Sequence, residues 1–487
     1  GDGNDYIFGG DGADTIDAGA GDDVVYTSVA GLTEDSSIDG GSGNNTLVFD
    51  KPGESGGWDN ESYGAITFNL SSDLGNASNF SNIGGGGSDD TLTGDSNANV
   101  IIGAGGNDTL TGGDGNDSLY GDEHPNDTGG TVYGIREYSL SDGNDSLYGG
   151  SGNDTLYGSD GDDILDGGTE ADTLTGGSGI DTYVLRSGDG GASQAAGDTI
   201  TDFADGTDSL GLDSSLLFSD LTIEQIGSDT VIKEGSNYLA TLTGITASNI
   251  TVLDFQSTST DDQTFNGTSG NDTLIGGAGD DTFNGGAGSD TLLGWSGDDT
   301  FNITGKSGAY TDTILGGSGT NVLNISYVSD LSNFTISAIP TSDSVISLTD
   351  PNGGSIKFTN ILDYTYTSGA AGYWDGSITV NSKTYTFVSD MRYDKTPFSG
   401  AYGSVQAFVY ENPSNTVEVV IPSDGKWLPQ YRMSSYKGFA FDGNETFTIY
   451  GGSGSEVIFG GYQGDTITGG DGNDYIFGGD GADTIDA

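Results

Sequence analysis

Aspartates recur through this chain at a fixed spacing, each set among glycines. In GGSGNDTLY (149–157), GSDGDDILD (158–166) and GGAGDDTFN (276–284) an aspartate holds the sixth place of nine. The places before it combine Gly with Asn or Asp, residues that tolerate positive φ and allow a tight turn with exposed carbonyls. Carboxylates and backbone carbonyls together form the all-oxygen donor set that Ca²⁺ prefers, whereas Mg²⁺ demands tighter octahedral geometry. The spacing therefore predicts calcium sites along the turns.

The last three places of each unit predict a short strand. TLY at 155–157 alternates around one apolar residue that can point inward. Two units, eighteen residues, then form one coil of a right-handed parallel β-roll, and coils stack at about 4.8 Å, the spacing of paired strands. Each sixth-place aspartate lies above the residue eighteen further on.

This stacking selects the candidate ligands. The predicted pairs are Asp5 with Asp23, Asp90 with Asp108, Asp145 with Asp163, Asp154 with Asp172, Asp163 with Asp181, Asp272 with Asp290, Asp281 with Asp299, Asp465 with Asp483 and the weaker Glu456 with Asp474, and Asp14 and Asp117 complete the predicted metal set. Asn45, Asn99 and Asn321 replace the aspartate in their units, and those units are expected to bind calcium weakly or not at all. A flexible glycine-rich linker is the alternative, but a linker has no reason to keep an apolar residue two places after each acid.

Composition also points to a cation as the partner. The 487 residues include 88 Gly and no Cys, and 74 acidic residues against 12 basic ones give a net charge of −62. Low hydrophobicity with high charge usually indicates disorder, but disorder does not require a fixed spacing. Such a charge should repel nucleic acid and anionic membrane surfaces. No run approaches the length of a membrane-spanning helix, so neither nucleic-acid binding nor membrane insertion is expected.

Residue types argue against catalysis. The chain has a single His, His124, in the polar stretch GDEHPND, so a zinc-protease H-E-x-x-H motif is absent. No G-x-S-x-G elbow is present to supply a nucleophile, and the glycine-rich turns lack the Lys and the following helix of a phosphate cradle. Paired acids leave a glycosidase dyad open on residue types alone, although calcium ligation explains the acids in register better. We predict that the chain is not an enzyme.

The repeats fall into blocks, and the predicted fold class is all-β: parallel β-roll blocks interrupted by antiparallel segments and one larger β domain. The expected boundaries are a roll at 1–48, a β-rich insertion at 49–84, a roll at 85–184 with a loop at 121–139, a strand-rich cap at 185–266, a roll at 267–324, an antiparallel β domain at 325–450 and a roll at 451–487. A cap is expected because the last strands of a roll otherwise expose unpaired backbone groups.

The pattern G-G-x-G-x-D-x-U-x, where U is apolar, resembles the RTX (repeats-in-toxin) calcium-binding repeat. The segments GDTITDFADGTDSLGL (197–212) and 238–255 resemble the strands that follow the roll in serralysin-like proteins. The resemblance implies multiple bound Ca²⁺, type I secretion and calcium-triggered folding outside the cell. It implies a place among toxins, proteases, adhesins or surface-layer proteins without choosing between them.

One duplication favours a structural role. The first eighteen residues, GDGNDYIFGGDGADTIDA, recur unchanged at 470–487, which sets a period of 469 residues from residue 1 to residue 470. Natural nonapeptides vary at most places, so an identical pair indicates recent or homogenised duplication. The chain is therefore predicted to be a repeat unit of an extracellular fibre, surface layer or giant adhesin. The alternative is the calcium-binding accessory region of a secreted enzyme or toxin.

The expected partners are tandem or self-associating copies of the unit, with a cell-surface glycan or lipopolysaccharide as a further possibility. The aromatic-rich segment 325–450, with Trp374 and Trp427, is either the contact surface for such a partner or simply a packed β module.

Overall fold

The structure is a computed structural model of the 487-residue chain. It describes all residues except 11, 50–63, 123–130, 133–134, 137–142, 305, 307–308, 330, 337–344, 360–362, 366–372, 376, 381, 390–405, 413–415, 422–425, 428–445, 453–456, 461–462 and 472. The described chain forms two compact units, Gly1–Thr258 and Ser259–Ala487. Strands dominate both units, and no helix in the described part is long and apolar enough to cross a membrane.

The first unit is built on two large sheets whose described strands alternate along the chain. One sheet has, in spatial order, Tyr6–Phe8, Val24–Tyr26, Thr46–Val48, Asn82–Gly84, Val100–Ile102, Ser118–Tyr120, Thr155–Asp160, Thr173–Ser178, Asp198–Ile200, Asn237–Leu242, Asp229–Glu234 and Leu221–Ile226. The other has Phe255–Ser257, Ser209–Leu212, Thr182–Leu185, Ile164–Thr169, Ser146–Ser151, Thr109–Asp114, Thr91–Thr93 and Thr67–Asn69. Alternation between two facing sheets is the arrangement of a β-roll.

Smaller elements complete this unit. They are the three strands Thr15–Asp17, Ser37–Asp39 and Ala77–Ser78, the pair Thr131–Val132 and Ile135–Arg136, the short α-helix Gly31–Glu34, and the 3₁₀ turns Gln194–Ala196, Phe218–Asp220 and Val252–Asp254. The parallel pairing changes to antiparallel at Asn237–Leu242, Asp229–Glu234 and Leu221–Ile226. These three strands form an antiparallel meander that extends one end of the parallel sheet, within the segment for which the sequence predicts a cap.

The parallel strands carry the apolar core in register. Thr155–Asp160 pairs with Thr173–Ser178, which places Leu156 beside Leu174, and both leucines are fully buried. Apolar residues two places after an aspartate are thus stacked inside the roll, where their burial opposes the entropy cost of ordering a glycine-rich chain.

The turns between strands require glycine. Gly161 has a φ of +135°, and a Cβ at this position would lie 1.7 Å from the carbonyl oxygen of Gly143 in the neighbouring coil. The close spacing of successive coils leaves no room for a side chain there, which explains the fourth-place glycine of the pattern.

The second unit repeats the roll and adds antiparallel strands. Its largest sheet runs through Thr264–Asn266, Thr282–Asn284, Thr300–Ile303, Val322–Ile325, Ser377–Val380, Lys383–Ser389, Gln406–Asn412, Thr416–Val420, Thr446–Tyr450, Thr466–Thr468 and Thr484–Asp486, with a branch of Lys426–Trp427, Val457–Phe459 and Tyr475–Phe477. A second sheet has Thr273–Ile275, Thr291–Leu293, Thr311–Leu315, Ser355–Thr359, Ile346–Thr349 and Thr335–Ile336, and the remaining elements are the pair Asp363–Thr365 and Tyr373–Asp375 and the 3₁₀ turn Leu331–Asn333.

Identical side chains stack along this second roll. The rings of Phe265, Phe283 and Phe301 lie face to face at centroid distances of 5.0 and 4.8 Å. These distances are close to the spacing of about 4.8 Å between paired strands, so part of the core is a column of repeated aromatic contacts. The side chains of Trp374 and Trp427, for which the sequence analysis suggests a contact role, lie outside the described residues, as does His124.

Candidate metal centre

One oxygen of each stacked aspartate fixes the turn of the coil before it. The backbone N–H of Asp145 donates to Oδ1 of Asp163 at 2.8 Å, and the N–H of Asp163 donates to Oδ1 of Asp181 at 3.1 Å. The same bond joins Asp90 to Asp108 at 2.7 Å. Charge-assisted bonds of this kind, repeated up the roll, hold the carboxylates in a column.

The second carboxylate oxygen has a different environment. In ten described aspartates Oδ2 is buried and has no hydrogen-bond partner: Asp14, Asp23, Asp108, Asp117, Asp145, Asp154, Asp163, Asp172, Asp299 and Asp312. Buried carboxylate oxygens without a donor are costly. A repeated set of them indicates that another group satisfies these atoms.

Such an oxygen faces a backbone carbonyl across a space that only glycine leaves open. A Cβ on Gly158 would lie 2.2 Å from Oδ2 of Asp163 and 2.6 Å from the carbonyl oxygen of Gly176 in the next coil. Equivalent spaces lie beside the unpartnered Oδ2 atoms of Asp108, Asp117, Asp145, Asp154 and Asp299, at Gly103, Gly112, Gly121, Gly149 and Gly294. The first-place glycine of the repeat therefore keeps a pocket between a carboxylate and a carbonyl.

Burial changes the acidity of these groups. It raises the pKa of Asp108 to about 9, with neighbouring carboxylates adding to the rise and the N–H donated by Asp90 opposing it. Burial likewise raises the pKa of Asp163 to about 7 and of Asp198 to about 8. Desolvation disfavours the ionised form, so a stack of ionised aspartates at neutral pH needs a compensating cation.

The donor set fits calcium. Among the described residues no three His, Cys, Asp or Glu side chains converge as a metal-binding group, so a cation in the column needs backbone carbonyls in addition to carboxylates. Ca²⁺ accepts both kinds of oxygen, and it takes six to eight of them. The orphaned Oδ2 atoms and the facing carbonyls would hold it, and it would supply the positive charge that the buried column lacks.

The structure brings together the predicted pairs that lie in its described part. The bond from the N–H of the first residue to Oδ1 of the second is present in Asp5 with Asp23, Asp90 with Asp108, Asp145 with Asp163, Asp154 with Asp172, Asp163 with Asp181, Asp272 with Asp290, Asp281 with Asp299 and Asp465 with Asp483. Glu456, the predicted partner of Asp474, lies outside the described residues. The role of the whole set as calcium ligands stays a prediction.

Asp483 differs from most of the predicted ligands in its burial. Its Oδ1 accepts the N–H of Asp465 at 3.0 Å as predicted, but Asp483 is only half-buried, whereas Asp465 is 1% exposed. The same intermediate exposure is found at Asp5, Asp14, Asp272 and Asp474.

These half-buried aspartates share one position in the rolls. All five belong to the first or the last described coil of a roll, where a strand has a parallel neighbour on one side only: Tyr6–Phe8 and Thr15–Asp17, Thr273–Ile275, and Tyr475–Phe477 and Thr484–Asp486. A coil on each side of a strand is therefore needed to enclose its carboxylate, and the strands of these five aspartates have a coil on one side only.

Four further aspartates continue the columns where the spacing departs from eighteen. Asp35, Asp198, Asp208 and Asp312 accept the N–H of Asp14, Asp172, Asp181 and Asp290 through Oδ1. Sequence reasoning missed them because 21 to 27 residues separate the members of these pairs. A signal was present for three of them, since DTI at 198–200, DSL at 208–210 and DTI at 312–314 keep the apolar residue two places after the acid.

Where asparagine replaces the aspartate, its side-chain amide donates a hydrogen bond to a backbone carbonyl of the roll. Nδ2 of Asn99 donates to the carbonyl oxygen of Ser81 at 2.7 Å, and Nδ2 of Asn45 donates to that of Asn79 at 2.9 Å. An amide N–H₂ therefore satisfies a turn carbonyl at these places. This is a physical reason for the expected weak calcium binding of such units.

These features define a class of protein, a parallel β-roll whose buried carboxylates need a cation. A family model described as the RTX calcium-binding nonapeptide repeat matches residues 1–29, 27–51, 84–119, 140–174, 148–183, 157–190, 266–301 and 450–485. The chain therefore carries RTX repeats, and these repeats are calcium-binding in several copies. Proteins with such repeats are typically secreted.

Two solved structures show a limited similarity. The AlgE6R3 subunit of the mannuronan C5-epimerase from Azotobacter vinelandii is 22% identical, over 34% of this chain and 77% of that one, with a TM-score of 0.14. The extracellular lipase LipA from Serratia marcescens is 14% identical, over 69% of this chain and 44% of the lipase, with a TM-score of 0.15. Similarity at this level does not extend either protein's activity to this chain. A comparison with curated proteins finds no match.

Proposed function

We propose that this chain is a structural unit of a long extracellular fibre, surface layer or giant adhesin, exported by type I secretion and folded by Ca²⁺ outside the cell. The observation that carries the proposal is the duplicated coil, whose two copies are paired on opposite sides.

The first copy pairs forward along the sequence. Its strand Tyr6–Phe8 lies parallel to Val24–Tyr26, one coil later. The second copy, with the same sequence, pairs backward: Tyr475–Phe477 lies parallel to Val457–Phe459, one coil earlier. One coil sequence therefore accepts parallel neighbours on both of its sides.

The second strand of the coil behaves in the same way. Thr15–Asp17 pairs with the later strand Ser37–Asp39, and its copy Thr484–Asp486 pairs with the earlier strand Thr466–Thr468. If the two copies are the same coil in successive units, the roll continues from one 469-residue unit to the next without a break in hydrogen bonding. A continuous parallel roll leaves no sheet edge at the junction, which favours a long array over isolated molecules.

In such a junction Asp483 would make a contact on each of its two sides. Asp14 is its counterpart in the first copy, and Oδ1 of Asp35 in the next coil accepts the N–H of Asp14 at 2.9 Å. In a continuous array one residue would make both contacts, to an Asp465 on one side and to an Asp35 on the other. The two half-enclosed sites would then become one complete site.

Calcium would act as the switch for folding. In a cytoplasm poor in calcium, the net charge of −62 opposes compaction. Burial also raises the pKa of Asp108 and Asp163, so the ionised form of these side chains resists burial. Outside the cell, calcium at about 10⁻³ M is enough for weak extracellular sites. Because these sites form only in the folded chain, binding energy becomes folding energy.

Electron microscopy of native material, imaged with calcium and after EDTA, tests the assembly. We expect filaments or sheets with a regular axial repeat that disperse when calcium is removed. Isolated particles in both conditions would contradict the array and would leave a calcium-binding accessory region as the better account.

A further inference from the structure

A buried lysine lies within the aspartate column of the second unit. Nζ of Lys306 is 2.7 Å from Oδ2 of Asp290 and 2.5 Å from Oδ1 of Asp312, and it donates to the carbonyl oxygen of Gly288 at 3.1 Å. The Lys306 side chain is 2% exposed, and those of both aspartates are fully buried. An ammonium group has three donors, and all three have an acceptor here.

These acceptors are of the same kind as the donors proposed for calcium, two carboxylate oxygens and a backbone carbonyl, with Asp290 contributing Oδ2 and Asp312 contributing Oδ1. Asp290 is one of the predicted ligands, and Asp312 is the aspartate of the next coil, since it accepts the N–H of Asp290 at 3.0 Å. Gly288 contributes a carbonyl from the same turn as Asp290. Oδ2 of Asp163 lacks a partner, whereas Oδ2 of Asp290 has Nζ.

We infer that Lys306 is a tethered cation that takes the place of one calcium ion, so that the coils joined by Asp290 and Asp312 form without metal. The inference rests on the proposed calcium-dependent folding. It adds that folding does not depend on calcium equally along the chain, because the coils joined by Asp290 and Asp312 in the second unit fold without metal.

Packing around the lysine supports a fixed position. Nζ lies 5.0 Å from the centroid of the Tyr310 ring, and that ring is buried. The hydroxyl of Tyr310 is hydrogen-bonded to that of Tyr327, which donates to Asp350 at 3.2 Å. The ammonium group is thus enclosed by three oxygens and an aromatic face, and a buried charge with this many partners is costly to remove.

The consequence for folding follows from linkage. A cation carried by the chain has an effective concentration that does not depend on the medium. The bond from Asp290 N–H to Asp312, together with that from Thr313 N–H to the carbonyl oxygen of Asp290 at 2.8 Å, should persist when calcium is absent. This segment would then hold the register from which the neighbouring coils extend once calcium arrives.

Hydrogen exchange on the full chain tests the inference, with K306A as the variant and K233A as the matched control. Lys233 also pairs with a carboxylate, Glu224 at 3.1 Å, and also lies 5.0 Å from a tyrosine ring, that of Tyr238, but it is outside the aspartate columns. Alanine at 306 removes the charge and leaves space among the three oxygens.

In metal-free buffer, we expect wild-type amides across 285–315 to stay protected while those across 145–185 exchange freely. K306A should lose the protection at 285–315 and recover it only as calcium is added, and K233A should keep it. Native mass spectrometry at saturating calcium should count one more calcium ion on K306A than on wild type or K233A, because the vacated oxygens then form an ordinary site.

Two results would overturn the inference: exchange at 285–315 as fast as at 145–185 in the metal-free wild type, or a K306A chain with the wild-type calcium count and wild-type protection. If K306A does not fold at any calcium concentration, the test rests on the wild type. Protection at 285–315 compared with 145–185 in metal-free buffer then decides whether the inference holds. Protection at 145–185 without calcium is a separate outcome. It would overturn the proposed calcium-dependent folding and, with it, the basis of the inference.

Discussion

At the scale of the residue, each stacked aspartate has two separable tasks. In Asp163, Oδ1 accepts the N–H of Asp145 and fixes the turn, whereas Oδ2 is buried without a partner and faces the carbonyl oxygen of Gly176. The first task needs only an oxygen, and the second needs a charge. Asparagine can perform the first alone, as Asn45 does when its Oδ1 accepts the N–H of Asp23 at 2.9 Å.

Asp163→Asn should separate these tasks. We expect the variant to keep its β structure at saturating calcium, because Oδ1 remains, and to raise the calcium midpoint of folding about tenfold, equivalent to about 1.4 kcal/mol. Calcium titration followed by circular dichroism measures the midpoint. Asp160→Asn, which removes an exposed carboxylate of the same coil, is the control and should titrate as wild type. Equal midpoints for the two variants would contradict the ligand role of Asp163.

The buried aspartates also predict how pH acts on the metal-free chain. Burial raises the pKa of Asp145 to about 6, of Asp163 to about 7 and of Asp108 to about 9, from 3.8 in the unfolded chain. Because the folded state binds these protons more tightly, their contribution to stability is fully present below pH 3.8 and is lost as pH rises through about 6 to 9.

Circular dichroism in buffer stripped of metal should therefore show β structure near pH 4, with a transition to coil as pH rises through that window. With calcium present the β signal should persist above the window, since the cation replaces the protons. A metal-free β signal that strengthens as pH rises would contradict this account.

At the scale of the element, the roll tolerates insertions between coils because each coil needs only its strand and its aspartate in register. Asp108 bonds to Asp145 across 37 residues, and Asp299 bonds to Asn321 across 22. The strands on either side of these insertions stay parallel. Longer connections cost closure entropy that grows only slowly with length.

Deletion of residues 123–141 tests this tolerance. It joins Asp122 to Asp142 and leaves GDDGNDSLY, a regular nine-residue unit that restores a spacing of eighteen between Asp108 and Asp145. We expect calcium-dependent folding to be retained, with a midpoint within about twofold of wild type, because the closure cost changes by only about 0.6 kcal/mol per doubling of loop length. Loss of folding would show that the segment holds the roll together.

The sequence predicts the pairing of regular coils well, but it predicts poorly which coils pair across an insertion. The eighteen-residue spacing predicts that Asp154 bonds to Asp172, because strand rise and inward apolar residues are local properties. It does not predict that Asp198 lies above Asp172, since 26 residues separate them and only sheet pairing shows which coil comes next.

Two other features of the site also depend on what surrounds a coil. The nine-residue spacing does not distinguish Asp483 from the other predicted ligands. The burial of Asp483 depends on whether a neighbouring coil covers it, and the spacing carries no information about that neighbour. The nine-residue pattern gives no signal for the position of Lys306, because two of its acceptors, Gly288 and Asp290, lie in one turn and the third, Asp312, lies in the next coil.

At the scale of the whole molecule, charge and fold oppose each other unless cations bind. The chain carries 74 acidic residues against 12 basic ones, and thirteen of the predicted ligands are nearly fully buried: Asp23, Asp90, Asp108, Asp117, Asp145, Asp154, Asp163, Asp172, Asp181, Asp281, Asp290, Asp299 and Asp465. Calcium bound along the columns would neutralise this charge and join successive coils. The same cation would then serve both as the folding signal and as the link that stiffens the roll.

Far-ultraviolet circular dichroism of the full chain at pH 7.5, in metal-free buffer and then with calcium or magnesium added, tests this central claim most directly. We predict a largely coil spectrum without metal, a change to β structure with calcium at about 10⁻⁴ to 10⁻³ M, little response to equal magnesium, and full reversal by EDTA. The same β spectrum in EDTA and in calcium would contradict the claim.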